Sequence, residues 1–197
     1  MVTIRYVLTD QLTWEKAQRL PFLRAEDIDR ADRYKRTQDK ILHLVSAYLK
    51  RKYVGEWETT AHGKPVSASV CFNVSHTDGL VAIALSDESV GLDVERVRPV
   101  EDELRAYIAS PEEKEKILTD EDFFSVWTAK ESLAKAEGAG LIEKPERIPA
   151  FPLCGEKNYR KQTFYSATSA LQGYIFSVTR KGNEPFLLTP EREELPE

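Results

Sequence analysis

The order strand, helices, hairpin runs along this chain twice, and no other feature narrows its fold as far. Val2 to Leu8 has a strand's composition and Gln11 to Leu20 that of a short helix. From Ala25 to Tyr53 a long, bent helical stretch is predicted, because Ile28, Ala31, Ile41, Leu42, Val45, Tyr48 and Leu49 recur near the helical period. Val70 to Val74 and Leu80 to Leu85 then read as a hairpin joined across Ser75, His76, Thr77, Asp78 and Gly79. The order restarts with a strand at Val90 to Val94. It continues with helical stretches at about Glu101 to Leu118 and Asp122 to Glu137, then strands near Gln162 to Ala167 and Tyr174 to Thr179. Ser75, Gly79 and Leu80 to Leu85 sit 94 positions ahead of Ser169, Gly173 and Tyr174 to Thr179. The prediction is an α+β fold of two similar halves, 1–88 and 89–197, related by an approximate twofold, with a ligand cleft at their junction. The acidic tail from about residue 190 is expected to fray.

Composition matters here mainly for what it excludes. A chain of 197 residues can bury a sufficient core without disulfides or metals. Its 28 Lys and Arg against 33 Asp and Glu argue against a nucleic-acid partner, so any anion site must be local. Cys71 and Cys154 stand far apart, with no CxxC and no His at ligand spacing, which speaks against a zinc site or a disulfide framework and for a reducing compartment. The start lacks a signal-peptide pattern, and the purest apolar run, Leu80 to Leu85, is too short to span a bilayer. A cytoplasmic protein without membrane contact is expected.

Three segments offer chemistry. In Gly91-Leu92-Asp93-Val94-Glu95, alternation along a strand puts Asp93 and Glu95 on one face and Leu92 and Val94 on the other. Two neighbouring carboxylates repel, and a hard ion such as Mg²⁺ would resolve that; two solvated acids on a strand edge are the alternative. In Trp127-Thr128-Ala129-Lys130-Glu131-Ser132-Leu133-Ala134-Lys135, helical spacing aligns Trp127, Glu131 and Lys135 on one stripe. That stripe is either a surface ion pair or, with Trp127 turned toward protein, a partly shielded Glu beside a Lys, suited to metal or proton binding. In Phe72-Asn73-Val74-Ser75-His76, with Gly63-Lys64-Pro65 upstream, a hydroxyl, an imidazole and free N–H groups at a strand end suit an anion, or His76 is a hydrogen-bonded turn residue. Adjacent Ser and His seldom reach each other from one strand end and no nucleophile elbow is present, so a triad hydrolase is set aside.

FNVSH, GLDVE and WTAKESLAK, in this order, resemble the Sfp-type 4′-phosphopantetheinyl transferases, whose pattern includes GxDxE and WxxKExxxK; both are matched in full. The resemblance runs from about Asp29 to Leu141 and weakens beyond. It implies two similar α+β halves with coenzyme A at their junction, and the length of the fused, monomeric type. The implied reaction moves the 4′-phosphopantetheine arm of coenzyme A to a serine of an apo acyl or peptidyl carrier protein. By the same resemblance, Asp93, Glu95 and Glu131 would hold Mg²⁺ or Mn²⁺, and Glu131 would take the serine proton, directly or through a metal-bound water. Lys135 would steady phosphate charge, and Ser75 with His76 would meet the phosphates. Lys64, Pro65 and Arg30 would meet the nucleotide end and its 3′-phosphate, with Lys40 or Lys35 as substitutes. Two positions depart from the family pattern: Asp27 and Leu42 stand where basic residues are frequent. Phe123, Phe124 and Leu118 are candidates for a carrier-docking patch, or for ordinary core. A non-catalytic member that only binds carrier or coenzyme, and a Mg²⁺-dependent phosphohydrolase, are the competing functions.

Overall fold

Two four-stranded sheets carry the same inner strand order. The computed structural model describes residues 1–60, 63–138 and 144–196. The first half contains β1 (Val2–Leu8), α1 (Trp14–Ala17), α2 (Ala25–Ala31), α3 (Thr37–Tyr53), a short hairpin of β2 (Glu58–Thr59) and β3 (Pro65–Val66), β4 (Cys71–Thr77) and β5 (Leu80–Ser86). The second contains β6 (Val90–Arg96), α4 (Asp102–Ile108), α5 (Pro111–Lys114), α6 (Asp120–Glu137), a 3-10 turn at Pro145–Arg147, β7 (Gly155–Tyr159), β8 (Gln162–Leu171) and β9 (Tyr174–Lys181). A last strand, β10 (Glu191–Arg192), returns to the first sheet. The sheet orders are β10-β1-β5-β4 and β6-β9-β8-β7, so the antiparallel trio β1-β5-β4 is matched by β6-β9-β8. The hairpins turn at Thr77↔Leu80 and Leu171↔Tyr174, again 94 positions apart. Gly79 and Gly173 take φ of 81° and 80° in these turns, where a side chain is disfavoured. The doubled order read from the sequence is therefore the architecture.

Alternation sorts the side chains into layers. Val7, Phe72, Val81 and Ile83 face Leu44, Val45, Tyr48 and Leu49 of α3. On the opposite face, Ile4, Tyr6, Leu80, Ala82 and Ala84 meet Val90, Leu92, Val94, Tyr174, Phe176 and Val178 of the second sheet. The far side of that sheet lies under α6, with Ile175 against Phe123, Phe124 and Ala129, and Phe164 against Leu133 and Ala136. The layers run helix, sheet, sheet, helix, and β5 is apolar from Leu80 to Leu85 because both of its faces are covered.

Local signals account for the helix ends. Thr119 and Asp122 close a capping box on α6, which stops at Gly138 with φ of 96°. The long stretch from Ala25 is two helices separated by residues 32–36, and the one from Glu101 breaks where Ser110 and Pro111 start α5. The helix expected at Gln11 to Leu20 is a single turn, and β2, β3 and β7 were not anticipated. The tail departs from expectation most. Instead of fraying, β10 pairs in parallel with the free edge of β1, Leu195 packs on the α3 core, and the Glu193 carboxylate accepts hydrogen bonds from Tyr48, Lys52 and Tyr53. Among the described residues no helix is long and apolar enough to cross a membrane.

Candidate active site

The site grows from an unfinished strand edge. β9 occupies one side of β6, leaving the N–H groups of Leu92, Val94 and Arg96 on the other. Along β4, Asn73, Ser75 and Thr77 point the same way and accept these bonds at 2.8, 3.3 and 3.3 Å. The same hydroxyls donate to the acids of β6, Ser75 to Asp93 at 3.0 Å and Thr77 to Glu95 at 3.1 Å. From the other side α6 lies directly on β6. A Cβ at Gly91 would stand 2.0 Å from the Ser132 carbonyl oxygen and 2.5 Å from the Ala136 nitrogen, which explains the glycine of GLDVE. The close approach lets the Lys135 ammonium donate to Asp93 Oδ1 at 2.6 Å and to the Leu92 carbonyl at 3.2 Å. Trp127, Glu131 and Lys135 form a half-buried stripe on a helix whose opposite face is core.

Charge is concentrated here without full compensation. Asp93 Oδ2 and Glu131 Oε1 are buried and, among the described residues, have no hydrogen-bond partner. Burial first, and then the Asp93 charge, push the Glu131 carboxyl up to about 7, against the pull of Lys135. Burial also raises Asp93, although Lys135 and Ser75 favour its ionised form. Glu95 differs: its Oε2 takes the Arg98 guanidinium at 2.9 Å as well as Thr77. The three acids expected to converge on one ion thus have different partners, and no group of three His, Cys, Asp or Glu among the described residues is placed to hold a metal. Each β6 acid pairs with a cation of its own, Asp93 with Lys135 and Glu95 with Arg98. Two desolvated oxygens from acids that disfavour each other's charge nevertheless suit one hard divalent cation, which needs only one or two carboxylates.

The remaining candidates are distributed around this centre. Ser75 and His76 point to opposite faces of β4. The Ser75 hydroxyl is committed to Asp93 and Val94, whereas His76 is exposed, and the protein around its ring and the Lys135 charge lower its basicity. His43, which carried no motif, joins it from α3. Its Nε2 is buried without a partner among the described residues, its ring lies 5.4 Å from that of Tyr34, and burial, Lys50, Arg30 and His76 all disfavour its charge. A lone imidazole within the apolar run Ile41, Leu42, Leu44 and Val45 was the available signal. Arg30 is exposed at the end of α2. Lys64 reaches across from the β2–β3 hairpin, with Pro65 beside it, and donates to the Lys135 carbonyl at 2.6 Å. Lys40 turns to α1 instead, bonding Asp32 at 2.9 Å and lying 5.2 Å over the Trp14 ring; Lys35 is exposed.

Both departures from the family pattern have structural roles. Asp27 accepts from the Arg24 N–H and pairs with the half-buried Arg51, and Leu42 is core. Lys130, the lysine just before Glu131, is fully buried and bonds Glu113 at 2.6 Å and the Pro145 carbonyl at 2.9 Å, so it ties α6 to its neighbours. Phe123 and Phe124 are core, but their edges line a groove of about 370 Å³ that continues past Glu95, Arg98, Leu104 and Trp127; Leu118 is exposed.

Known proteins place this arrangement. Residues 89–179 match the 4′-phosphopantetheinyl transferase superfamily, and the match includes Asp93, Glu95, Glu131 and Lys135. The chain is 29% identical over 150 residues to the 4′-phosphopantetheinyl transferase gsp of Aneurinibacillus migulanus, covering 68% of this chain and 61% of that one. It is 28% identical over 144 residues to psf-1 of Bacillus pumilus, covering 61% and 60%, and 29% identical over 112 residues to Sfp of Bacillus subtilis, covering 50% of each; both are named 4′-phosphopantetheinyl transferases. The segment that holds the acids is thus similar to the 4′-phosphopantetheinyl transferase superfamily, and the chain to proteins of that name. The similarity spans between half and about three fifths of these relatives' own lengths.

Proposed function

We propose that this chain transfers the 4′-phosphopantetheine arm of coenzyme A to a serine hydroxyl of an apo acyl or peptidyl carrier protein, leaving adenosine 3′,5′-bisphosphate. The observation that carries this reading is the pair of buried oxygens without a partner among the described residues, Asp93 Oδ2 and Glu131 Oε1, with the Lys135 ammonium on Asp93. Asp93, Glu131 and Glu95 are the residues that would hold Mg²⁺ or Mn²⁺. Such an ion, when bound, neutralises the pyrophosphate and draws charge onto its oxygens.

The chain's own groups do the rest. Glu131, with a carboxyl near 7, is matched to taking a proton from the carrier serine at neutral pH. The serine oxygen forms a bond to the β-phosphorus as the bond from that phosphorus to the bridging pyrophosphate oxygen breaks, and the serine proton ends on Glu131. Lys135, already aimed at Asp93, balances charge on the departing phosphate. Ser75 orients Asp93 through its hydroxyl, and its neighbour His76 meets the phosphates from the other half. Arg30 and His43 lie with His76 where a nucleotide phosphate would relieve their mutual repulsion, and Lys64 and Pro65 close the nucleotide end. The groove beside Glu95 and Trp127, rimmed by Arg98 and the exposed Leu104, is where the carrier docks, weakly and transiently. The enzyme works as a cytoplasmic monomer.

Incubation with coenzyme A, Mg²⁺ and a panel of apo carriers tests this by mass spectrometry. One phosphopantetheine mass is expected on at least one carrier. Release of adenosine 3′,5′-bisphosphate without an acceptor marks a phosphohydrolase instead, and coenzyme binding with no turnover on any carrier marks a non-catalytic binder.

A further inference from the structure

β4 makes the same double contact twice. Two residues apart, Ser75 and Thr77 each accept a bond from a β6 amide, at Val94 and Arg96, and each donates one to the carboxylate just before that amide, Asp93 and Glu95. Asn73 opens the row by accepting from the Leu92 amide, where the preceding residue is Gly91 and has no side chain to hold. A hydroxyl has one proton and two acceptor sites, so one Oγ can be anchored by an amide while its proton aims at an acid. Lys135 and Arg98, the cations on these acids, sit on long side chains that a phosphate can attract. The hydroxyls cannot leave, because the strand edge holds them.

We propose that Thr77 is a positioning residue for Glu95: its hydroxyl, anchored on the Arg96 amide, fixes from the first half the direction of an acid carried by the second. The ligand geometry of the site then depends on the register between the two halves, not on β6 alone. This rests on the transferase reading only in that a divalent cation is what the acids receive. Thr77 is also a clean place to test it, being half-buried and outside the groups assigned to coenzyme A.

Thr77→Val keeps the shape and removes the hydroxyl, Thr77→Ala removes it without an apolar replacement, and Thr77→Ser keeps it. Mn²⁺ binding in the presence of coenzyme A is read from the spin-resonance signal of free Mn²⁺, and amide exchange at Arg96 is read in the metal-free protein. Loss of the hydroxyl in Val and Ala weakens Mn²⁺ by about tenfold or more, raises the KM for Mg²⁺ more than it lowers kcat, and speeds Arg96 exchange, while Ser stays within about threefold of the parent chain. Unchanged Mn²⁺ affinity in both Val and Ala overturns the assignment, as does a Ser variant no better than Val. If the parent chain itself binds no Mn²⁺, the metal reading fails and takes this proposal with it, a result distinct from the first two.

Discussion

β1 and β6 occupy the same place in their sheets, yet their edges are finished in different ways. Ile83 and Ser177 lie 94 positions apart and pair with Arg5 and Asp93, so Thr3, Arg5 and Val7 are the counterparts of Gly91, Asp93 and Glu95. At β1 the free edge is closed by backbone: β10 lies along it in parallel and Arg5 pairs with Glu191. At β6 it is closed by the side chains of β4. A backbone partner satisfies the edge and ends there. A hydroxyl partner satisfies the edge and still has a proton to direct, and that proton orients an acid. The glycine on β6, where β1 has Thr3, adds the second difference by letting the helix close in. Of the two equivalent edges, the candidate site lies on the one that side chains of β4 close.

The largest expected effect therefore belongs to a glutamate on the helix over β6. Glu131→Gln should lower transfer by about 10²- to 10⁴-fold while leaving coenzyme A binding detectable, because the amide keeps the shape but takes no proton. Steady-state transfer with calorimetric coenzyme binding checks this, and normal turnover would remove Glu131 from its role. Next comes Gly91→Ala. The added Cβ meets backbone on α6 rather than a movable side chain, so the helix must shift. A loss near the top of the overpacking range, about 3 kcal/mol in urea unfolding, is expected together with most activity. Thr3 already carries a Cβ, so Thr3→Ala at the matching position of β1 should cost far less.

Much of this was legible in advance because the chemistry-bearing side chains follow local periods. Alternation placed Asp93 and Glu95 on one face, and the spacing of four placed Trp127, Glu131 and Lys135 on one stripe; both hold. The 94-residue echo was enough to find the doubled sheet. What stayed hidden depends on contacts between segments distant in the chain. Nothing local says that Arg98 takes Glu95, that Lys130 is sealed against Glu113, or that an acidic tail becomes a strand. Nor does the run Asn73, Ser75, Thr77 announce that its partners are amides nineteen residues on. The tail has the composition of a solvated end, while Glu193 finds two tyrosines and a lysine waiting on α3.

That tail gives the contrasting prediction at the other edge. Glu193→Ala removes the acceptor shared by Tyr48, Lys52 and Tyr53 and loosens β10 from β1. About 2 kcal/mol of stability should be lost, the range for hydrogen bonds to a charged group, with transfer activity per folded molecule unchanged. A fall in kcat at 25 °C without unfolding would show that the two edges are coupled after all.

The smallest effect comes from β7, the edge strand that extends the second sheet beyond β8, the counterpart of β4. Its Lys157 is buried, and among the described residues its ammonium has no hydrogen-bond partner. Burial pushes it down to about 7, with Lys130 adding to the effect and Glu113 opposing it. The unfolded chain holds this proton up to about pH 10.4, whereas the folded chain releases it above about 7. Between those values the unfolded state binds more protons, so Lys157 makes stability rise with pH, and below 7 its full penalty is present. Lys157→Met should thus stabilise the chain by about 1–2 kcal/mol at pH 7, since an apolar side chain of similar length removes the unpaired group. The advantage should shrink as pH approaches 10. Urea unfolding of both proteins across pH 6.5 to 9.5 measures the difference directly. An advantage that stays flat over that range would mean the ammonium keeps its proton in the folded state.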